Sequence, residues 1–188
     1  MPVTRADLLA RLADLGIVIE TVDHAAVFTV AESAHVKGAI PGGHSKNLFL
    51  KDKKGRLFLV TAEGDAAIDL KTISEKIGGS GRVTFGRPEL LMELIGVTPG
   101  SVTPFGIVND LEGRVTVVVD AALLEHEILN FHPLENTATT SIRREDFLRF
   151  LEACGHPPVI AAVSNGKVGA AAPAGDDRDV ATIADPPL

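Results

Sequence analysis

The sequence predicts a mixed α/β fold with a largely antiparallel sheet and surrounding helices. The chain has 188 residues, of which 45% are hydrophobic and 23% charged, and these values are usual for one globular domain. Short β-branched runs recur along it, and helical segments interrupt them irregularly. Regular alternation of strands and helices would favour a parallel sheet, so we expect mostly antiparallel pairing here.

The N-terminal elements follow from capping residues and spacing. Thr4 is predicted to cap a helix over residues 5–15, and Gly16 ends it. The β-branched run 17–22 predicts a strand. Residues 28–36 predict a short helix, and the glycines of 38–43 predict a loop after it.

A β-hairpin is predicted next, from strands 46–51 and 56–61 around the turn 52–55. Residues 46–56 hold five basic side chains and one acid, a local charge of +4, whereas the whole chain carries −7. The net charge argues against broad nucleic-acid binding, DNA included. The basic hairpin, however, can orient a polyanion toward one edge of the protein.

The rest of the chain predicts further helices and strands. Residues 70–77 predict a helix closed by Gly78, 82–85 a short strand, and Pro88–Ile95 a helix that proline can open. Strands 105–108 and 114–119 are predicted to pair across residues 109–110, followed by strands 126–131 and 137–142. Ser141 is predicted to cap a last helix over 143–153. We expect a domain over residues 1–162 and a low-complexity tail over 163–188.

Several function classes lack their signatures. No apolar run is long enough for a membrane span, and there is no P-loop or Gly-x-Ser-x-Gly elbow. His24, His35 and His44 have no metal-ligand spacing, and we expect no metal site and no cofactor. The single cysteine, Cys154, is interpreted as a small buried residue, and the cytoplasm is the default compartment.

Three short motifs are not explained by local structure. Lys46 and Asn47 open an apolar strand, Thr103-Pro104-Phe105-Gly106 form a stiff turn, and His132 precedes a proline. Each taken alone is more typical of an ordinary strand end, turn or structural histidine. In this order, with Asn136 and Thr137, they resemble the YbaK-type aminoacyl-tRNA deacylases, the free-standing relatives of the editing domain of bacterial prolyl-tRNA synthetases. The resemblance covers about Leu8 to Ile160 and is greatest to the branch that edits Ala-tRNA(Pro).

The resemblance implies metal-free hydrolysis of an aminoacyl ester, with tRNA(Pro) as a partner and docking to prolyl-tRNA synthetase as a further expectation. It implies that Lys46 contacts the terminal adenosine and its phosphate, that Asn47 and His132 line the pocket, and that the backbone near Gly106 faces the ester. The remaining expected substrate-binding residues are Phe28, Ile40, Thr103, Pro104, Phe105 and Asn136. The acceptor stem is expected on Lys51, Lys53, Lys54 and Arg82.

Alternatives stay open on the sequence alone. The amino acid removed could be cysteine, serine or threonine, since pocket size is not readable from sequence. A non-catalytic module that binds aminoacyl-tRNA or a nucleotide is a second alternative, and a metalloenzyme that uses the six histidines is a third.

Overall fold

The computed structural model describes residues 1–26 and 38–164. Within them the α-helices are α1 (Arg5–Asp14), α2 (Ile73–Lys76), α3 (Pro88–Ile95) and α4 (Arg144–Ala153). Two short 3-10 helices span Pro104–Asn109 and Leu123–Glu125. The strands are β1 (Ile19–Asp23), β2 (Gly43–Lys51), β3 (Leu57–Glu63), β4 (Thr84–Phe85), β5 (Val115–Asp120), β6 (Ile128–Phe131), β7 (Ala138–Arg143) and β8 (Val159–Ala161).

The eight strands form one mixed sheet in the order β1-β7-β6-β2-β3-β5-β8, with β4 paired to β2. The pairs β1–β7, β6–β7, β2–β3 and β2–β4 are antiparallel. The pairs β2–β6, β3–β5 and β5–β8 are parallel. The predicted fold class, a mixed α/β fold with mostly antiparallel pairing, is therefore confirmed.

The first helix begins as predicted. The Thr4 hydroxyl accepts a hydrogen bond from the Asp7 N–H at 3.2 Å, and the Asp7 carboxylate accepts one from the Thr4 N–H at 3.0 Å. This reciprocal capping box satisfies two N–H groups that the first turn leaves unpaired. Leu8 and Leu12, one helical turn apart, are fully buried, so the capped helix packs one apolar face on the core.

Alternating residues of the hairpin bury both faces of β2 and β3. Phe49, Leu57 and Leu59 join the main core, whose largest side chains include Phe105, Phe131, Phe147 and Phe150. Leu50 and Phe58 point the other way, into a second cluster that contains Ile73 of α2 and Ile77 directly after it. Because successive residues of a strand face opposite sides, the two layers are specified by one sequence pattern.

The predicted strand over 105–108, paired to 114–119, is wrong, because residues Pro104–Asn109 form a 3-10 helix. The Thr103 hydroxyl caps it by accepting from the Phe105 N–H at 3.3 Å, and Pro104 supplies a fixed helical φ at its first turn. Asn109 closes its other end, since its amide donates to the carbonyls of Ile95 and Gly106 at 3.1 and 3.2 Å. These caps outweigh the strand preference of the apolar run.

Smaller differences concern element ends. The helix predicted over 70–77 is reduced to α2, because Asp69 organises the preceding residues into a turn. Ser141 lies inside β7 and binds Asn130 Oδ1 at 2.6 Å, so it does not cap α4. Val163, the first residue of the expected tail, is buried in the second cluster. The helix predicted over 28–36 lies outside the described residues.

Candidate active site

The candidate active site lies where β2 and β6 part. The two strands pair in parallel over residues 43–44 and 129–130. Lys46 and His132 each lie two positions beyond these paired segments, so they leave the contact at the same level. The resulting gap between the strands, which we call the β2–β6 seam, has Lys46 and His132, two residues that the sequence motifs singled out, at corresponding positions on its two sides.

Lys46 is half-buried and anchored. It lies opposite Ala62 in the β2–β3 register, and its ammonium donates a hydrogen bond to the carbonyl of Ala66, in the loop after β3. The contact holds the long side chain in one orientation. Lys46 thus holds a positive charge beside the loop that follows β3.

Asn47 points to the opposite face of β2 from Lys46, because side chains alternate along a strand. Its amide nitrogen lies 3.4 Å from Ser45 Oγ, but its Oδ1 is buried without a hydrogen-bond partner in the described residues. Thr61, its direct partner on β3, has a buried hydroxyl in the same condition. Buried polar atoms are rarely left unpaired, so this facing pair is a candidate contact for a ligand.

His132 has a defined tautomer. Its Nδ1 lies 3.1 Å from the carbonyl oxygen of Ala138, which can only accept a hydrogen bond. The proton of the neutral ring is therefore on Nδ1, and Nε2 carries the lone pair. The contact with Ala138 thus fixes which ring nitrogen carries the proton in the neutral form.

His24 lies beside His132, with 6.4 Å between the ring centroids. Its Nδ1 lies 2.8 Å from the Ala25 carbonyl, and its Nε2 lies 2.9 Å from the Thr139 hydroxyl. Sequence reasoning considered His24 only as a metal ligand and missed this neighbourhood. The only sequence signal was its residue type, because His132 is far away along the chain.

Residues 103–106, expected to contact substrate, are buried behind the surface. Phe105 is fully buried and packs edge-on against Phe131 and Phe150, with centroid distances of 5.5 and 5.4 Å. Gly106 donates its N–H to the Thr103 carbonyl at 3.1 Å. Internal contacts therefore occupy this motif.

Gly106 also has a packing requirement. A Cβ at this position would lie 2.7 Å from the carbonyl oxygen of Ile95, at the end of α3. Only a residue without a side chain allows α3 and the 3-10 helix to approach this closely.

The other expected substrate-binding residues are distributed around the seam. Ile40 is buried, and its carbonyl lies 2.7 Å from His44 Nε2. Asn136 is half-buried in the turn between β6 and β7. Phe28 lies outside the described residues.

The hairpin turn is held by one buried carboxylate. Asp52 accepts hydrogen bonds from the N–H groups of Lys54, Arg56 and Ser80, all at 2.9 to 3.0 Å, and pairs with the Arg56 guanidinium. Burial alone would raise the pKa of Asp52, but the two N–H groups of Arg56 and Ser80 and the guanidinium together lower it. A stable negative charge thus organises the turn.

This turn brings the expected RNA-binding residues together. Lys51, Lys53 and Lys54 are exposed, and the Lys53 N–H donates to the Ser80 carbonyl at 3.1 Å. That bond docks the loop 78–82 on the hairpin and places exposed Arg82 near the three lysines. The structure thus gathers these side chains into one basic surface, which we call the hairpin patch.

The described residues contain neither a metal-binding cluster nor a membrane-spanning helix. No group of three or more His, Cys, Asp or Glu in residues 1–26 and 38–164 is arranged to hold a metal ion. In the same part of the chain, no helix is long and apolar enough to cross a membrane.

Fold and site together define a small α/β domain with a polar gap between two strands and a basic surface at its hairpin turn. A family model described as the aminoacyl-tRNA editing domain matches residues 24–150, more than half of the chain. The chain belongs to the aminoacyl-tRNA editing domain family, and it is an aminoacyl-tRNA deacylase. The family resemblance drawn from the sequence motifs is thereby confirmed.

Relatives agree with this assignment. The prolyl-tRNA synthetase associated domain-containing protein 1 of Mus musculus is 42% identical over 160 residues, which cover 83% of this chain and 94% of that protein. The prolyl-tRNA editing protein ProX of Acetoanaerobium sticklandii is 36% identical over 150 residues, covering 79% and 91%. A crystal structure of a candidate trans-editing enzyme for prolyl tRNA synthetase has a TM-score of 0.64 at 22% identity, covering 86% and 96% of the two chains, and supports the fold.

Proposed function

We propose that this protein hydrolyses the ester of mischarged tRNA(Pro), with Ala-tRNA(Pro) as its substrate. The single observation that supports the proposal is that Lys46 and His132 lie at corresponding positions on the two sides of the β2–β6 seam. The names of the mouse and Acetoanaerobium relatives support tRNA(Pro) as the tRNA. The branch resemblance of segments 28–43 and 132–137 supports alanine.

The physical case for alanine rests on size. A synthetase pocket that fits proline cannot strongly reject alanine, because missing methylene groups are worth only about 1–3 kcal/mol each. A second pocket can reject the larger proline ring by steric exclusion. We propose that Ile40 and Phe28 line this pocket, with Asn136 at its rim. A pocket enlarged in the same place would accept cysteine, serine or threonine esters instead.

The reaction needs little chemical activation. Water adds to the ester carbonyl, the bond from the carbonyl carbon to the ribose oxygen breaks, and the ribose oxygen takes up a proton. The products are the free amino acid and tRNA. An ester has a good leaving group, so orientation and polarisation of its carbonyl are sufficient contributions.

Each seam residue receives a role in this scheme. Lys46 binds the terminal phosphate and adenosine as a fixed positive charge, since lysine has an ordinary pKa near ~10.4 and is a poor base at neutral pH. The lone pair of His132 Nε2 accepts the hydrogen bond of the attacking water or of the neighbouring ribose hydroxyl. Asn47 Oδ1 and the Thr61 hydroxyl, on the opposite face of the hairpin from Lys46, are assigned to the side of the pocket that holds the amino acid. Gly106 and residues 103–105, which are buried, support the pocket from behind.

The hairpin patch completes the substrate site. We assign Lys51, Lys53, Lys54 and Arg82 to the acceptor stem, where their charges contact backbone phosphates. With a net charge of −7, the chain should bind tRNA weakly and in a salt-sensitive way. For a role in translation fidelity, we propose a cytoplasmic location and docking on or near prolyl-tRNA synthetase.

The test compares release of amino acid from Ala-tRNA(Pro) and Pro-tRNA(Pro) by the wild type and by Lys46→Ala. We expect alanine to be released and proline retained, and we expect Lys46→Ala to lower kcat/KM by roughly 100-fold or more at unchanged thermal stability. Lys76→Ala, an exposed lysine on α2, is the matched control.

Other outcomes separate the alternatives. Release of cysteine, serine or threonine with alanine spared would change the substrate but keep the reaction class. Tight binding of aminoacyl-tRNA without cleavage of any ester would replace the deacylation proposal by a binding module. A loss of activity with chelator would indicate a metalloenzyme.

A further inference from the structure

A groove of about 400 Å³ lies between α2 and the loop 78–82, away from the β2–β6 seam. Its lining residues are Lys71, Ser74, Glu75, Gly79, Gly81 and Arg82. Two of them are cations, one is an acid and one is a hydroxyl, and the two glycines leave backbone exposed. The groove adjoins the hairpin patch, because the loop 78–82 is docked on Lys53.

Ser74 gives the groove a polar floor. It is 4% exposed, and its hydroxyl has no hydrogen-bond partner in the described residues. A buried hydroxyl without a partner costs free energy, so its presence beside a groove points to a ligand atom that completes it.

Gly79 allows the loop to pack closely on Ser74. A Cβ at this position would lie 2.6 Å from Ser74 Oγ, so a larger residue would push the loop away from α2. Gly79 also donates its N–H to the Ser74 carbonyl at 2.7 Å, which fixes the loop against α2. In the sequence, a phosphate cradle over 78–81 was the alternative to a simple helix end at Gly78, and the groove favours that alternative.

The side of the groove that Lys71 forms has a backbone fixed by hydrogen bonds. The Asp69 carboxylate accepts hydrogen bonds from the Lys71 N–H at 2.9 Å and the Thr72 hydroxyl at 3.0 Å. These two bonds, in that order, lower the pKa of Asp69, so the carboxylate stays charged at neutral pH. The turn before α2 is therefore ordered independently of any ligand.

We propose that this groove binds one ribose-phosphate unit of the tRNA acceptor strand. Lys71 and Arg82 contact the phosphate from the two walls, and the Ser74 hydroxyl donates to it from the floor. The Glu75 carboxylate accepts from the ribose 2′-hydroxyl, a group that distinguishes RNA from DNA. An anion alone would not favour a groove with an acid in its lining, whereas a sugar-phosphate uses both charges.

The position of the groove fits this ligand. Lys46 and the groove share one face of the hairpin, since Ala62, opposite Lys46, belongs to the cluster that contains Ile73 and Ile77. From Lys46 to the turn, β2 spans roughly 17 Å at the usual strand rise. A stacked strand that rises 3.4 Å per nucleotide covers this distance in about five nucleotides. With the terminal adenosine at Lys46, the groove meets the strand near the start of the paired stem.

The groove proposal rests on the proposed function. Two substrates distinguish a failure of the groove proposal from a failure of the proposed function. The first is Ala-tRNA(Pro), and the second is the alanyl ester of the terminal trinucleotide CCA, which is too short to reach the groove. Binding of uncharged tRNA(Pro) is measured in parallel. If the wild type cleaves neither ester, the proposed function fails, while binding of uncharged tRNA still tests the groove.

The variants are Lys71→Ala and Ser74→Ala, and the control is Lys76→Ala, which removes the same charge at the end of α2, outside the groove lining. We expect the first two to weaken tRNA(Pro) binding roughly three- to tenfold, to leave cleavage of the trinucleotide ester unchanged, and, for Lys71→Ala, to reduce the salt slope by about one. Ser74→Ala should keep or raise Tm, because it removes an unpaired hydroxyl. Equal weakening of tRNA binding by Lys71→Ala and Lys76→Ala would overturn the proposal. It would indicate general electrostatic attraction of the RNA and not a specific contact in the groove.

The sugar contact has its own test. A minihelix with 2′-deoxyribose in the acceptor strand should bind the wild type more weakly than the all-RNA minihelix, and Glu75→Ala should bind both equally. If the wild type binds the two minihelices equally, the 2′-hydroxyl contact of Glu75 is refuted.

Discussion

The two ends of the β2–β3 hairpin differ in how completely their polar groups are paired. At the turn, Asp52 accepts from three backbone N–H groups and from a guanidinium. At the open end, Asn47 Oδ1 and Thr61 Oγ1 are buried with no partner in the described residues. The turn is therefore fully paired within the protein, whereas the open end leaves two buried polar atoms without a partner in the described residues. In the proposed function, the turn contacts RNA and the open end contacts the reacting ester.

The largest expected effect comes from Lys46→Arg. This substitution tests whether the open end of the hairpin needs the exact position of the Lys46 ammonium or only its positive charge. Lys46→Arg keeps the charge, but a guanidinium differs in shape and donor geometry from the ammonium that binds the Ala66 carbonyl. We expect kcat/KM for Ala-tRNA(Pro) to fall by roughly 100-fold. Lys51→Arg, at the turn end of the same strand, should change it less than about twofold. Equal effects of the two substitutions would erase the distinction between the ends.

The next effect concerns the unpaired hydroxyl of Thr61. Thr61→Val preserves shape and removes the hydroxyl, so the free energy of unfolding should stay constant or rise by up to about 1 kcal/mol. If the hydroxyl binds substrate, kcat/KM should fall about tenfold, the worth of one hydrogen bond. Thr116→Val, on an exposed strand position, is the control. Lower stability with unchanged activity would make Thr61 purely structural.

A smaller effect is expected in the hairpin patch. Lys53→Ala and Lys54→Ala should each raise KM for tRNA roughly two- to fivefold, leave kcat unchanged, and reduce the salt slope of binding by about one. Rates measured across a salt series provide the check. Unchanged KM in the double variant would remove the hairpin patch from the RNA interface.

The smallest effect on activity is expected for Asp52→Asn, which removes the acceptor for the Ser80 N–H and the Arg56 guanidinium. We expect kcat to be unchanged and Tm to fall by roughly 5 °C at pH 7. Because the folded pKa of Asp52 is lowered, its stabilisation is complete above the unfolded pKa of ~3.9 and is lost as pH falls through the folded value. The Tm difference between the wild type and Asp52→Asn should therefore close in acid below that range. A Tm difference that does not change with pH would show that the stabilisation does not depend on the ionisation of Asp52.

Sequence reasoning succeeded where one segment carries its own signal. The hairpin, the capping box of Thr4 and the proline-opened helix α3 were predicted because turn residues, caps and spacing act within a few positions. Residues 105–108 were mispredicted because their apolar pattern also fits a strand. The deciding contact, from the Asn109 amide to the Ile95 carbonyl, joins separate parts of the chain.

The features of the candidate site also fall into those that local sequence predicts and those that depend on tertiary structure. Lys46, His132 and the lysines of the hairpin patch were found by motif and charge. The nearness of His24 to His132, the buried oxygens of Asn47 and Thr61, and the groove beneath Ser74 depend on pairing between distant segments. Local periodicity contains no information about such pairing.

The sequence alone determined the fold class, the positions of most strands and helices, the basic turn and the motifs that resemble the editing family. Tertiary structure decided which strands run parallel, why Gly106 lacks a side chain, and which polar atoms are left without partners. The physical reason is that caps, turns and alternation are short-range properties of the chain. Burial and unpaired hydrogen-bonding capacity exist only after distant segments have packed together.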